Sequence, residues 1–149
     1  MHKGLKVALG TALLVTGSFA GAYAESKEEF FRQRLCAGMK QERYLQHARS
    51  YVDCVSDTHA VEVEFANKFK QAIGQALHYA EQLKLKPGII LVCVEKDENC
   101  LRHGLLTESA LAYWRIPATI WKCGPVSLTL ADCQRVEIIV TPVATAKAD

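Results

Sequence analysis

Residues 51–79 read YVDCVSDTHAVEVEFANKFKQAIGQALHY. Two short β-like runs, 49–55 and 60–65, flank the polar Ser56-Asp57-Thr58-His59, the composition of a hairpin turn. Side chains alternate across a strand, so Val61, Val63 and Phe65 point one way and Glu62 and Glu64 the other. In the preceding run Asp53 faces away from its neighbour Cys54. If the two runs pair as a hairpin, Asp53 lies beside Glu62 and Glu64. Three carboxylates on one face repel unless a proton or a cation offsets them. Hard divalent cations such as Mg²⁺ take oxygen donors of this kind.

The next segment, 67–85, reads as a helix with Asn67 as its cap and Pro87-Gly88 as its stop. Phe69, Ala72, Ile73, Ala76, Leu77, Ala80 and Leu83 form its apolar stripe. A second stripe is polar: Lys68, Gln71, Gln75 and Tyr79 follow one another at spacings of three, four and four, which places them on one helix face. That face begins directly after the Glu-rich strand and can aim an amine and amides at the carboxylates.

Outward from this segment, residues 26–46 read as a helix, with Ser26 as cap and Phe30, Phe31, Leu35, Met39 and Leu45 at roughly helical spacing. Residues 89–94 are a continuous apolar run, as in a strand covered on both faces. Residues 107–114 suggest a short helix. Residues 118–122 and 137–143 suggest strands, with 127–130 a possible further one. Residues 144–149 read as a tail. The order predicts an α/β (α+β) fold, a sheet flanked by helices. His59, His78 and His103 read as surface residues, and Trp114 and Trp121 as core or rim.

The chain opens with a basic stretch carrying Lys3 and Lys6, an apolar run over 7–20, and Ala22-Tyr23-Ala24. This is the pattern of a cleavable secretory signal, with the mature protein, 25–149, forming one domain. No other stretch is long and apolar enough to span a bilayer, and no Cys follows the apolar run to carry a lipid. The full sequence has 18 basic and 16 acidic residues. Without Lys3 and Lys6 the charges balance, so a nucleic-acid site has to be a local patch rather than a global field. Cys36, Cys54, Cys93, Cys100, Cys123 and Cys133 all lie beyond the signal. An even count in an exported domain implies disulfides. Fifteen pairings are open for six cysteines; the expected set joins neighbours in order, 36–54, 93–100 and 123–133. Zinc is disfavoured by the lack of any CxxC pair.

Asp53, then Glu62-Val63-Glu64, then Gln75-Ala-Leu-His-Tyr79 resembles the PD-(D/E)XK, or restriction endonuclease-like, nuclease superfamily over about 42–94. The resemblance implies an αβββαβ core with a mixed sheet. It implies Asp53 and Glu62 as ligands of Mg²⁺ or Mn²⁺, with Glu42 as an additional acid, and Glu64 or Lys68 orienting or deprotonating water. Gln75 and Tyr79 match the family's QxxxY motif and, with Gln71, would position substrate. Two positions depart from the pattern: Glu64 stands where the motif has lysine, and Val52 where it has proline. Lys68 matches members in which the lysine has moved to the helix. The implied activity is metal-dependent hydrolysis of nucleic acid, DNA ahead of RNA, by an exported periplasmic or secreted protein without a membrane anchor. Two other readings fit the same residues: a catalytically inactive binding module on this fold, or a disulfide-stabilised envelope protein with no nucleic-acid role, in which Asp53 and Glu62 lie far apart. Separately, the Val/Glu alternation alone also fits a half-exposed hairpin with solvent-facing Asp53 and Glu62.

Overall fold

The computed structural model describes residues 19–140, with side chains from Lys27 onward. The signal-peptide reading over 1–24 lies outside the described residues except for 19–24, and the tail at 144–149 lies wholly outside them. Helix α1 spans Phe19–Leu35 and is followed by strands β1 (Lys40–Leu45), β2 (Ser50–Val55) and β3 (His59–Phe65). A 3-10 turn at Ala66–Lys68 leads into α2 (Phe69–Leu83), then β4 (Lys86–Val92), α3 (Asp97–Tyr113), β5 (Ala118–Cys123), a second 3-10 turn at Leu130–Asp132, and β6 (Gln134–Ile138). The six strands form one sheet in chain order. β1, β2 and β3 are an antiparallel meander, β3, β4 and β5 run parallel, and β6 is antiparallel to β5. Parallel neighbours need crossover connections, and α2 and α3 supply them.

The expected helix over 26–46 is corrected at both ends. It begins before Ser26 and ends at Leu35, because Gly38 takes a left-handed φ of 85° that a helix cannot continue through. Lys40–Leu45 is instead an edge strand on β2, with Arg43 opposite Val52 and Tyr44 opposite Tyr51. The two tyrosine rings sit 5.0 Å apart, a cross-strand pair. Met39 lies in the turn before this strand and Leu45 at its end, so their spacing matched a helical period across a turn and a strand.

Three further expectations shift. Asn67 lies inside the 3-10 turn and caps nothing; the residue before α2 is Lys68, which makes no side-chain capping bond. α2 stops at Lys84, which adopts a left-handed φ of 55° and gives its N–H to Ala80 and Glu81. Pro87-Gly88 therefore belongs to β4 rather than to a helix stop. α3 begins ten residues earlier than expected, with Asp97 and Glu98 in its first turn, where the helix dipole favours acids. Residues 127–130 form a turn rather than a strand, closed by a reciprocal Thr129–Asp132 capping box, and β6 starts at Gln134 rather than 137.

All three cysteine pairs form as expected: 36–54, 93–100 and 123–133, with Cα separations of 5.8, 5.6 and 4.4 Å. Each fastens a segment end: α1 to β2, β4 to the first turn of α3, and β5 to the start of β6. These bonds are consistent with an extracellular or periplasmic protein. Among the described residues no helix is long and apolar enough to cross a membrane.

The sheet is covered on both faces. Phe31, Leu35 and the Cys36–Cys54 bond pack on Val61, Val63, Phe65, Ile90, Val92 and Trp121. On the other face Ala72 and Ala76 of α2 and Leu111 of α3 cover Ile89, Leu91 and Ile120. A third cluster, Leu45, Val52, Val55, Ala60, Tyr79 and Ala80, closes the meander end. Gly88 lets the layers meet: a Cβ there would stand 2.8 Å from Val61 Cγ2 and 3.1 Å from Trp121 Cζ3. His59, read as a surface residue, is half-buried and fastens the hairpin to the far strands. Its Nε2 lies 2.8 Å from Thr119 Oγ1, whose hydroxyl donates to Glu137.

Candidate functional site

β2 and β3 pair through Cys54–Val61 and Val55–Ala60, and the pairing goes no further. At the next position the Asp53 side chain takes over: its Oδ2 accepts the Val63 N–H at 2.8 Å. The strands part there, and the carboxylate occupies the notch between them.

Glu62 and Glu64 project from β3 on the face opposite Val61 and Val63, under α2. They are 4% and 1% exposed, so the half-exposed hairpin reading is overturned. Glu64 Oε1 accepts the Phe65 N–H and sits 3.0 Å from Lys68 Nζ, which also reaches Glu28 at 3.4 Å. Glu62 Oε2 is buried without a hydrogen-bond partner.

These acids act on one another. Burial first, then Asp53, Glu64 and Glu28, push the Glu62 carboxyl up to about 9. Burial raises Asp53 to about 6 against the opposing pull of the Val63 N–H and Arg32, with Glu64 and Glu42 adding to the rise. Glu28 rises to about 7 through burial and Glu64, with Lys68 opposing. Lys68 is itself held above its ordinary value: partial burial works against this, but the bonds to Glu64 and Glu28 outweigh it. At neutral pH Glu62 is therefore a protonated acid within a set of carboxyls that burial and mutual repulsion disfavour as anions.

The structure thus brings together Asp53, Glu62 and Glu64, and pairs Lys68 with Glu64. It adds Glu28 of α1, which the sequence reading missed. The available signal was the acid four residues before Arg32 on a helix that packs beside β3. Glu42 stands at the margin of this set and acts on Asp53 through its charge. It is exposed on β1 at a left-handed φ of 51° and pairs with Arg32 at 3.4 Å. Arg32 is the buried cation on this side, held by Glu29 and by Gln41 Oε1 at 3.1 Å. Tyr79 is a core residue, and Gln75 Nε2 approaches its hydroxyl at 3.5 Å, leaving Gln75 Oε1 buried and unpaired. Gln71 is exposed and lines a separate cavity with Lys68.

The donor chemistry suits a hard divalent cation: carboxylate oxygens, one of them orphaned, in a notch where negative charge is under strain. The spacing is looser. Among the described residues no group of three or more His, Cys, Asp or Glu is set to hold a metal ion. Mg²⁺ commonly keeps several waters and takes only one or two carboxylates from the protein. Asp53 and Glu62 fit that role, as adjacent-strand residues with Asp53 the largest charge acting on Glu62. No family model matches the chain, and neither the curated proteins nor the solved structures contain a match to it.

Proposed function

We propose that the protein is a metal-dependent nuclease of PD-(D/E)XK type, acting outside the cytoplasm on phosphodiester bonds. The observation that carries this reading is the mutual proximity of Asp53, Glu62 and Glu64 where β2 and β3 part, with Lys68 paired to Glu64. The order α1-β1-β2-β3-α2-β4, with β4 parallel to β3, supports it, since that is the core the sequence resemblance implies.

Asp53 and Glu62 would hold one Mg²⁺ or Mn²⁺. When bound, the ion supplies an activated water and charge stabilisation at the phosphate. The chain's own residues do the rest. On binding the ion, Glu62 would release to solvent the proton that burial and its neighbours keep on it. Lys68, on the rim of the notch, presents an ammonium to a phosphate oxygen while Glu64 holds it in place. Glu64 is the acid nearest that ammonium and accepts a proton from the attacking water. Gln75, on α2 and in contact with the Tyr79 hydroxyl, would help position the substrate or the ligands.

The test is incubation of the disulfide-bonded protein with DNA and RNA, with Mg²⁺, with Mn²⁺ and with chelator. Cleavage is expected only with a divalent ion and is lost in Asp53→Ala and Glu62→Ala. Cleavage that survives both substitutions overturns the assignment.

One observation favours a second reading. Lys68 is engaged by two carboxylates, Glu64 and Glu28, so the ammonium is already neutralised. An inactive binding module on the same fold predicts no cleavage with any divalent ion, but retained, salt-sensitive binding to nucleic acid.

A further inference from the structure

Lys68 stands between two features. On one side is the carboxylate notch; on the other is a cavity of about 530 Å³ between the start of α2 and α3. Asn67, Lys68, Lys70, Gln71, Arg102 and His103 are among the residues that line it. Its charged lining is basic. Lys70 has no acid partner among the described residues; its ammonium lies 5.9 Å from the Phe69 ring centroid. Arg102 likewise makes no ion pair among them.

The floor is built rather than incidental. His103 is 8% exposed, and its ring stacks on Phe69 with centroids 5.5 Å apart and planes 24° apart. Its Nδ1 is buried with no hydrogen-bond partner, 3.6 Å from Glu95 Oε1, which is equally unpaired. The basic side chains, two amides and this histidine therefore suit an anion with several acceptor oxygens.

We propose that this cavity is a phosphate-binding subsite for a nucleic-acid strand, taking a phosphate that flanks the bond positioned at Asp53 and Glu62. The identity of the ligand rests on the nuclease reading; the anion site itself rests on the cavity. Lys68 is shared, so a strand lying in the cavity is led directly to the notch.

The experiment separates the two claims. Binding of a fluorescent single-stranded oligonucleotide is measured in chelator, where no cleavage occurs, as a function of salt. The variants are the exposed pair Lys70→Glu/Arg102→Glu and, as a control on a remote face, Lys40→Glu/Arg43→Glu, each checked for an unchanged melting profile. The proposal predicts at least a tenfold loss for the first pair and less than twofold for the second. Losing two phosphate contacts lowers the log–log salt slope by about 1.4 for a single strand. Inorganic phosphate should compete only weakly. Equal losses in the two variants, no oligonucleotide binding, or tighter binding of inorganic phosphate than of the oligonucleotide overturns the subsite. Binding as predicted, with no cleavage when Mg²⁺ is restored, would leave the subsite standing and remove the nuclease reading instead.

Discussion

Asp53 Oδ2 accepts the backbone N–H of Val63 at 2.8 Å, across the point where β2 leaves β3. One carboxylate thus has two tasks, satisfying a buried backbone donor and facing Glu62. Substitutions separate them. Asp53→Asn keeps an acceptor for Val63 and removes negative charge from the notch, so its stability without metal should equal or exceed that of the parent. Asp53→Ala leaves the N–H unpaired and should cost about 1–3 kcal/mol. Chemical denaturation of the two variants checks this; equal stabilities would contradict the structural role.

The pH dependence follows from Glu62 and its neighbours. In the unfolded chain these acids titrate near their ordinary values, 4.5 for Glu62, whereas in the fold Glu62 is raised to about 9. Between those values the folded state binds more protons than the unfolded one, so stability falls as pH rises. Without divalent cations it should be fully present below about pH 4.5 as far as Glu62 is concerned, and decline up to about pH 9. Glu28, at about 7, and Asp53, at about 6, add to the fall in the lower part of that window. Glu62→Gln should flatten the profile of melting temperature against pH. An unchanged slope would place the burden elsewhere.

The Cys36–Cys54 bond ties the residue after α1 to the neighbour of Asp53, with a sequence separation of 18. By the chain-entropy account a loop of this length is worth about 3 kcal/mol. Cys36→Ala/Cys54→Ala should destabilise the domain by that order and weaken divalent-ion affinity, because α1 then no longer backs β2. Affinity unchanged from the parent would break the link between the clamp and the site.

Gly88 and Gly104 are both buried, but they differ in what they meet. A Cβ at Gly88 meets Val61 and the Trp121 ring at the centre of the sheet, whereas at Gly104 it meets Lys122 Cδ at 2.7 Å, on a flexible side chain. Gly88→Ala should cost about 1–3 kcal/mol, as overpacking does. Gly104→Ala should cost less, since Lys122 can move aside. Thermal melts of the two variants give the order.

Much of this was legible at residues whose local pattern had one reading. The Val61-Glu62-Val63-Glu64 alternation gave the two faces of β3, and Ala72, Ala76 and Ala80 gave the buried side of α2. The cysteine pairs followed from short separations. What escaped depended on long-range contact. Lys40–Leu45 is polar and exposed but for Leu45, and only its pairing with β2 makes it a strand. Glu28 and Glu42 are both acids near Arg32 in sequence, but Glu28 on α1 meets Lys68, whereas the turn at Gly38 carries Glu42 onto β1, where it is exposed and pairs with Arg32. His103 looked like a surface residue because nothing in its neighbours revealed that Phe69, 34 positions earlier, would stack on it.

The central claim is that the Asp53–Glu62 notch takes a divalent cation. The most direct measurement is the melting temperature of the disulfide-bonded protein at pH 8, in chelator and in excess Mg²⁺ or Mn²⁺. A ligand at a hundredfold excess over its Kd stabilises by about 2.7 kcal/mol, a rise on the order of 10 °C for a domain of this size. The account predicts such a rise in the parent and its loss in Asp53→Asn and Glu62→Gln. No rise in the parent, or an equal rise in all three proteins, would contradict it.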